Sequence, residues 1–195
     1  MREAQGGDAM VLSTETVEII RKGVEGREAL NDPERIRAIH RIAIEVEEGL
    51  RYRATRAGEA RFVTIVDEPT ERGGTGMGEG PLTHFLIGAG SCLLNQYIRV
   101  AVAEGLDITF TSMNVRGDAR RDVGGRFEHF QQELFAEGTA SEEAMSRLAE
   151  RAEGLCYVHN TLKDAVKITT VVHLNGKEVV RRVSEPRALP LTHSG

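Results

Sequence analysis

Residues 81–105 read PLTHFLIGAGSCLLNQYIRVAVAEG. Pro81 suits a first helical turn, where its missing N–H would have no intrahelical partner. No proline recurs before Gly105, whose lack of a Cβ suits a left-handed stop after Glu104. Leu82, Phe85, Leu86, Ala89, Leu93, Ile98, Val100 and Val102 spread around the helix, which places it inside a core. His84, Asn95, Gln96 and Arg99 interrupt the apolar run, so a membrane span fits badly. Gly88, Ala89, Gly90 and Ser91 lie mid-helix. Each interior glycine costs about 1 kcal/mol relative to alanine, and the compensation expected is close approach of another helix or a sheet one turn before Cys92. Asn95 and Gln96 need hydrogen-bond partners if they are buried.

Upstream, Ile42, Ile44 and Val46 alternate with Ala43, Glu45 and Glu47. Glu48-Gly49 offers a turn, Leu50, Tyr52 and Ala54 alternate again, Ala57-Gly58 turns the chain, and Arg61 to Val66 reads as a third strand. Three such segments make an antiparallel meander. A helix from Pro33 to Ile44 is the competing reading. Residues 67–81, DEPTERGGTGMGEGP, are a glycine-rich connection that satisfies neither the phosphate-loop nor the dinucleotide pattern. Residues 1–40 form an N-terminal arm, partly helical, with Leu12, Val17, Ile19 and Ile20 as its apolar residues and a helix start at Asp32-Pro33-Glu34.

Downstream, Ile108 to Arg120 reads as an exposed or edge strand. A turn at Asp122-Val123-Gly124-Gly125 leads to a strand from Phe127 to Ala136. Thr139-Ala140-Ser141-Glu142 has a capping-box pattern opening a helix over 140–153, with Ala144, Leu148 and Ala152 on one face. His159 to Leu162 reads as a turn. Val166–Leu174 and Lys177–Val183 are joined by Asn175-Gly176, the strongest hairpin signal in the chain. Residues 186–195 are an irregular tail. Meander, long helix, strands, second helix and hairpin make an α+β layout over 41–185.

The 195 residues, 40% hydrophobic and 28% charged, describe a globular chain able to bury a core without disulfide or metal. Trp is absent, so the core is aliphatic. A net charge of -5 argues against nucleic acid or anionic membrane as a partner. Cys92 and Cys156 are the only cysteines, too few for a disulfide scaffold or a Cys-rich metal site. The N-terminus lacks the basic start and apolar run of a secretory signal, so the expected location is cytoplasmic.

VDEPTERGGTGMGEGP (66–81), GAGSC (88–92), GLCYVHNTL (154–162) and VKITTVVHLNGKEV (166–179), in that order, resemble the OsmC/Ohr family, the osmotically inducible and organic hydroperoxide resistance-like thiol proteins. The resemblance runs from about Ile42 to Val180. It implies an intertwined homodimer with antiparallel sheets packed around the long cysteine-bearing helices of both subunits. It further implies a thiol-dependent hydroperoxide reductase, a peroxidase of the antioxidant stress response, in which Cys92 attacks, Cys156 resolves and Arg51 activates. Its partners would be an organic hydroperoxide or other small molecule and an external dithiol reductant protein, with no cofactor and no metal.

The family carboxylate that follows the helix-opening proline is missing, since this chain reads Pro81-Leu82-Thr83-His84. Tyr157 replaces the proline that follows the second cysteine. Glu79 and His84 are the candidate substitutes, and His159 is a pocket hydrogen-bonding candidate. A noncatalytic or differently specialised dimeric small-molecule-binding protein of the same fold is the alternative function. A thiol is reactive as its thiolate, with an ordinary pKa near 8.5, so an efficient nucleophile deep in a helix needs a nearby cation. Arg53, Arg56, Arg61 and Arg99 stand beside Arg51 as sources of that charge. A zinc site of Cys92, Cys156 and His159 with His84 lacks paired ligand spacing.

Overall fold

The structure is a computed structural model of the chain and describes residues 13–28, 42–56, 59–120 and 126–186. They fall into two compact units, one of residues 27–88 and one of residues 1–26 with 89–195. The expected features at Leu12, Asp32-Pro33, Ala57-Gly58, Asp122–Gly125 and the end of the tail lie outside the described residues.

In the first unit β1 (Ile42–Glu48), β2 (Arg51–Arg56) and β3 (Glu59–Val66) form an antiparallel meander in the order β1-β2-β3. Ile44 faces Ala54 across the first pair, and the register shifts between Val46 and Glu48. Ile42 and Ile44 are therefore strand, which removes the helical reading of that end of 33–44. All seven residues of β1 are exposed, so the alternation of Ile42, Ile44 and Val46 marks an apolar face that no described residue covers.

The glycine-rich connection is wrapped around one side chain. Asp67 has no exposed surface, and its carboxylate accepts from the Thr75 N–H at 3.0 Å, the Thr75 hydroxyl at 2.6 Å and the Met77 N–H at 2.8 Å. A Cβ on Gly74 would lie 1.8 Å from the Glu68 carbonyl oxygen. Glycine is required there because backbone packs on backbone.

The long helix, α2, runs Pro81–Glu104, and Gly105 stops it with φ 65. By length and composition it could cross a membrane. Its buried residues, Ala89, Gly90, Leu93, Gln96, Tyr97, Val100 and Ala101, instead form one stripe belonging to the second unit. An apolar spread over nearly every side places the helix inside a core, yet Leu82, Phe85 and Ile87 are 62%, 42% and 53% exposed. The two mid-helix glycines separate. A Cβ on Gly90 would lie 2.4 Å from Val115 Cγ2 on the sheet, whereas one on Gly88 would meet nothing within 4 Å among the described residues.

The second unit's sheet contains β4 (Ile108–Arg120), β5 (Arg126–Gly138), β6 (Lys167–Leu174) and β7 (Lys177–Ser184) in that order. β4 is an edge strand. In β5 the buried set is Phe130, Gln132, Leu134 and Ala136, and Gln132 Nε2 donates to the Ala89 carbonyl of α2. β5 and β6 pair in parallel, which corrects the expectation of purely antiparallel sheets. Two helices, α3 (Glu142–Leu155) and α4 (Tyr157–Leu162), connect these strands, and such a crossover returns the chain in the same direction.

Ser141, not Thr139, caps α3: its Oγ accepts from the Ala144 N–H at 3.2 Å, while the Thr139 hydroxyl donates to Asp107 at 2.8 Å. α4 replaces the turn expected at His159–Leu162. Asn175 and Gly176 both have positive φ, 51 and 77, the type I′ geometry that suits a right-twisted hairpin.

Leu93, Tyr97 and Val100 of α2, Leu134 of β5, Met145, Leu148 and Ala152 of α3, and Val172 of β6 form one core cluster that also contains Cys156. The arm contributes α1 (Thr14–Glu28). Val24 is buried, and a Cβ on Gly23 would lie 2.7 Å from Arg99 Nη2, so the arm's helix sits against the Arg99 guanidinium.

Candidate functional site

Cys92 and Cys156 come from elements brought together by the packing of α3 on α2. Cys92 is half-buried and Cys156 buried, and both are free thiols. Their sulfurs lie 3.5 Å apart, with the Cys156 thiol donating to Cys92. A disulfide requires about 2.05 Å, so bonding needs a closure of about 1.5 Å.

Cys156 sits at the junction of α3 and α4 with extended backbone, φ -82 and ψ 114, and its sulfur caps α4. The His159 N–H donates to that sulfur at 3.4 Å. Burial pushes the Cys156 thiol up to about 12, and the neighbouring Cys92 adds to the rise against the His159 and Val158 amides. The junction is tied down by Asn160, whose Nδ2 donates to the carbonyls of Glu153 at 3.1 Å, Gly154 at 2.8 Å and Cys156 at 3.0 Å.

Glu153 and His159, both buried near Cys156 in the chain, meet a partly exposed cation from β7. Glu153 is only 4% exposed. Its Oε2 accepts from Arg182 Nε of β7 at 2.7 Å and lies 3.9 Å from His159 Nε2. Ser184 Oγ, two residues along β7, is 3.4 Å from the same His159 nitrogen. Burial holds the His159 imidazole below its usual range, Lys163 and Arg182 acting the same way against Glu153. Tyr97 OH, Glu153 Oε1 and His159 Nδ1 are buried with no hydrogen-bond partner among the described residues. Burial raises the Tyr97 phenol well above the ordinary value, and the charges of Glu153 and Cys156 raise it further while Arg182 opposes them.

Sequence reasoning had singled out His159 but missed Glu153 and Arg182. The available signal was a carboxylate on the apolar face of α3, beside Ala149 and Ala152 and three residues before a cysteine.

Arg99 shares the cysteines' unit, whereas Arg51, Arg53, Glu79 and His84 belong to the other. Arg51 on β2 pairs through Nε with Glu47 Oε2 at 3.1 Å, and Arg53 pairs with Glu45 and Glu47. Glu79 is exposed, and its carbonyl accepts from the Asp67 N–H at 3.0 Å. The His84 ring donates to the Ile65 carbonyl at 3.3 Å. Both candidate substitutes for the missing carboxylate thus make contacts with the end of β3 and the residue after it. Among the described residues no group of three or more His, Cys, Asp or Glu side chains is arranged to hold a metal ion.

No curated protein matches the sequence. Solved structures share the fold. An OsmC-like protein from Mycoplasma pneumoniae is 23% identical with a TM-score of 0.60, covering 70% of this chain and 97% of that one. An organic hydroperoxide resistance protein from Elizabethkingia anophelis is 19% identical with a TM-score of 0.54, covering 71% and 99%. An OsmC-like protein of unknown function from Vibrio cholerae is 9% identical with a TM-score of 0.59, covering 70% and 100%. The family model described as OsmC-like protein matches residues 74–171, which include α2, both cysteines and the α3–α4 crossover. The chain belongs to the OsmC-like protein family.

Proposed function

We propose that this protein reduces organic hydroperoxides with Cys92 as the attacking thiol and Cys156 as the resolving one. The observation that carries the reading is the 3.5 Å separation of two free sulfurs, one half-buried and one buried. The more accessible sulfur meets substrate, and the buried one waits behind it. The fold shared with an organic hydroperoxide resistance protein supports the substrate class.

In the first step the Cys92 thiolate attacks the distal peroxide oxygen. A sulfur–oxygen bond forms, the oxygen–oxygen bond breaks, and the released alkoxide takes a proton to leave as an alcohol. In the second, the Cys156 sulfur attacks the Cys92 sulfenic acid. The disulfide forms, the sulfur–oxygen bond breaks, and the departing hydroxide takes the Cys156 proton to leave as water. An external dithiol then returns both sulfurs to thiols by exchange, a cycle suited to the reducing cytoplasm. Arg51 is the cation assigned to Cys92, through the family resemblance and within an intertwined homodimer.

The test reacts fully reduced parent, C92S and C156S proteins with cumene hydroperoxide and with hydrogen peroxide, following free thiols and mass. The expected result is a Cys92–Cys156 disulfide in the parent, an inert C92S protein, and an oxidised Cys92 retained in C156S. Cumene hydroperoxide should react faster than hydrogen peroxide. Equal, slow oxidation of both cysteines would defeat the reading in favour of a noncatalytic small-molecule-binding role, to which the loss of the family carboxylate at Leu82-Thr83 points.

A further inference from the structure

On the two-thiol reading above, Cys92 must react first and Cys156 second, although the sulfurs are 3.5 Å apart. Burial of Cys156 accounts for part of that order. Cys92 beside it raises the Cys156 thiol further, and the His159 and Val158 amides oppose the rise. Arg182 brings a guanidinium from β7 to the buried end of α3, and a cation standing alone there would favour a thiolate at Cys156. Glu153, almost fully buried, takes the Arg182 Nε at 2.7 Å.

The titratable and charged groups on the surrounding elements are Cys92 and Tyr97 from α2, Glu150 and Glu153 from α3, His159 from α4 with Lys163 just after it, and Arg182 from β7. Tyr97 responds to burial first, then to Glu153, Arg182 and Cys156, so one buried phenol lies within electrostatic reach of the ion pair and the thiol together. His159 feels the same pair, and its main-chain N–H rests on the Cys156 sulfur at 3.4 Å.

We propose that Glu153 is a positioning residue that decides which thiol reacts first: by holding Arg182 it cancels a cation that would otherwise activate Cys156, and so reserves the attack on substrate for Cys92. Neither member of the pair touches substrate. Glu153 is buried while Arg182 reaches it from the partly exposed β7; removing either member leaves the other's charge without its partner, so the two single variants should act on Cys156 with opposite signs. A purely structural role would impair both alike.

The experiment avoids hydroperoxide, so its outcome is separate from that of the proposed activity. Reduced full-length protein is treated with dithiobis(nitrobenzoate), which loads the accessible Cys92 as a mixed disulfide. Cys156 then displaces thionitrobenzoate: its sulfur bonds to the Cys92 sulfur, the sulfur–aryl-thiolate bond breaks, and the Cys156 proton is released to buffer. Release of that second thionitrobenzoate is timed at fixed neutral pH in the parent, E153Q, R182Q and E153Q/R182Q.

A lone neighbouring charge is expected to change the Cys156 thiolate fraction about tenfold. Lower nucleophilicity offsets part of the gain, leaving about threefold in rate. E153Q should therefore release about threefold faster and R182Q about threefold slower, with the double variant near the parent. The pH at which release levels off should fall in E153Q. Slowing in all three, or no change in any, overturns the proposal. Should E153Q fail to fold by circular dichroism, R182Q against the double variant carries the same contrast.

Discussion

Asp67 stands at the mouth of the glycine-rich loop without exposed surface, and burial alone would push its carboxyl up. Hydrogen bonds from Thr75, Met77 and Glu68 outweigh burial and hold it at about 2, against 3.8 ordinarily. A lowered folded-state pKa means stabilisation that is present above 3.8 and lost as pH falls through about 2. D67N should therefore melt at lower temperature than the parent at neutral pH and lose the acid-dependent part of the melting curve. Limited proteolysis should cut it within 67–80. Equal melting temperatures at neutral pH would mean that the loop does not depend on the carboxylate.

Cys156 has the opposite sign. Its thiol is raised from 9.0 to about 12 by burial first and by Cys92 second, so its contribution is complete below 9.0 and disappears as pH rises toward about 12. Denaturant midpoints should fall between about pH 8 and about pH 11 by more in the parent than in C156S. Alkylation by iodoacetamide at neutral pH should mark Cys92 well before Cys156, as read by peptide mass.

At the scale of elements, α2 carries two glycines with different tasks. Gly90 lets the helix lie on β4, where an added Cβ would stand 2.4 Å from Val115 Cγ2. G90A should cost about 1–3 kcal/mol of stability through overpacking, measured by urea unfolding. G88A adds a side chain where no described residue lies within 4 Å and improves helix propensity, so it should gain about 0.5–1 kcal/mol. A loss at Gly88 instead would place the backbone of a second subunit over that position. The same element shows how periodicity misled. Large apolar residues on nearly every side of α2 point to a helix inside a core, yet the second unit covers one stripe, and Leu82 and Ile87 remain exposed.

For the whole molecule, those exposed residues join Ile42, Ile44 and Val46 of β1, each at least 60% exposed, as apolar surface that no other described residue covers. Exposed apolar residues on this scale suit an interface, and the homodimer proposed above would cover them. Light scattering should give twice the chain mass for the parent and a shift toward the monomer for I87E, with circular dichroism retained. A monomeric parent would remove the dimer from the reading.

Helix and hairpin limits were legible because they rest on local chemistry. Pro81 and Gly105 bracket α2, and Asn175-Gly176 admits the positive φ angles of a tight turn. The capping position slipped from Thr139 to Ser141 because both hydroxyls fit the pattern and only the contact with Asp107 separates them. The parallel pairing of β5 with β6 was not legible, because pairing direction depends on where a crossover returns the chain and not on the residues of either strand.

The order of elements, the small-residue stretch before Cys92 and the family were determined by the amino-acid sequence, since propensity, turn stereochemistry and motif spacing act between near neighbours in the chain. The meeting of the two sulfurs, the Asp67 knot and the Arg182–Glu153 pair behind Cys156 were decided only in the tertiary structure. They depend on distances and on the exclusion of water between residues far apart in sequence, and a charge placed on an apolar helix face has no readable purpose until the strand opposite supplies its partner.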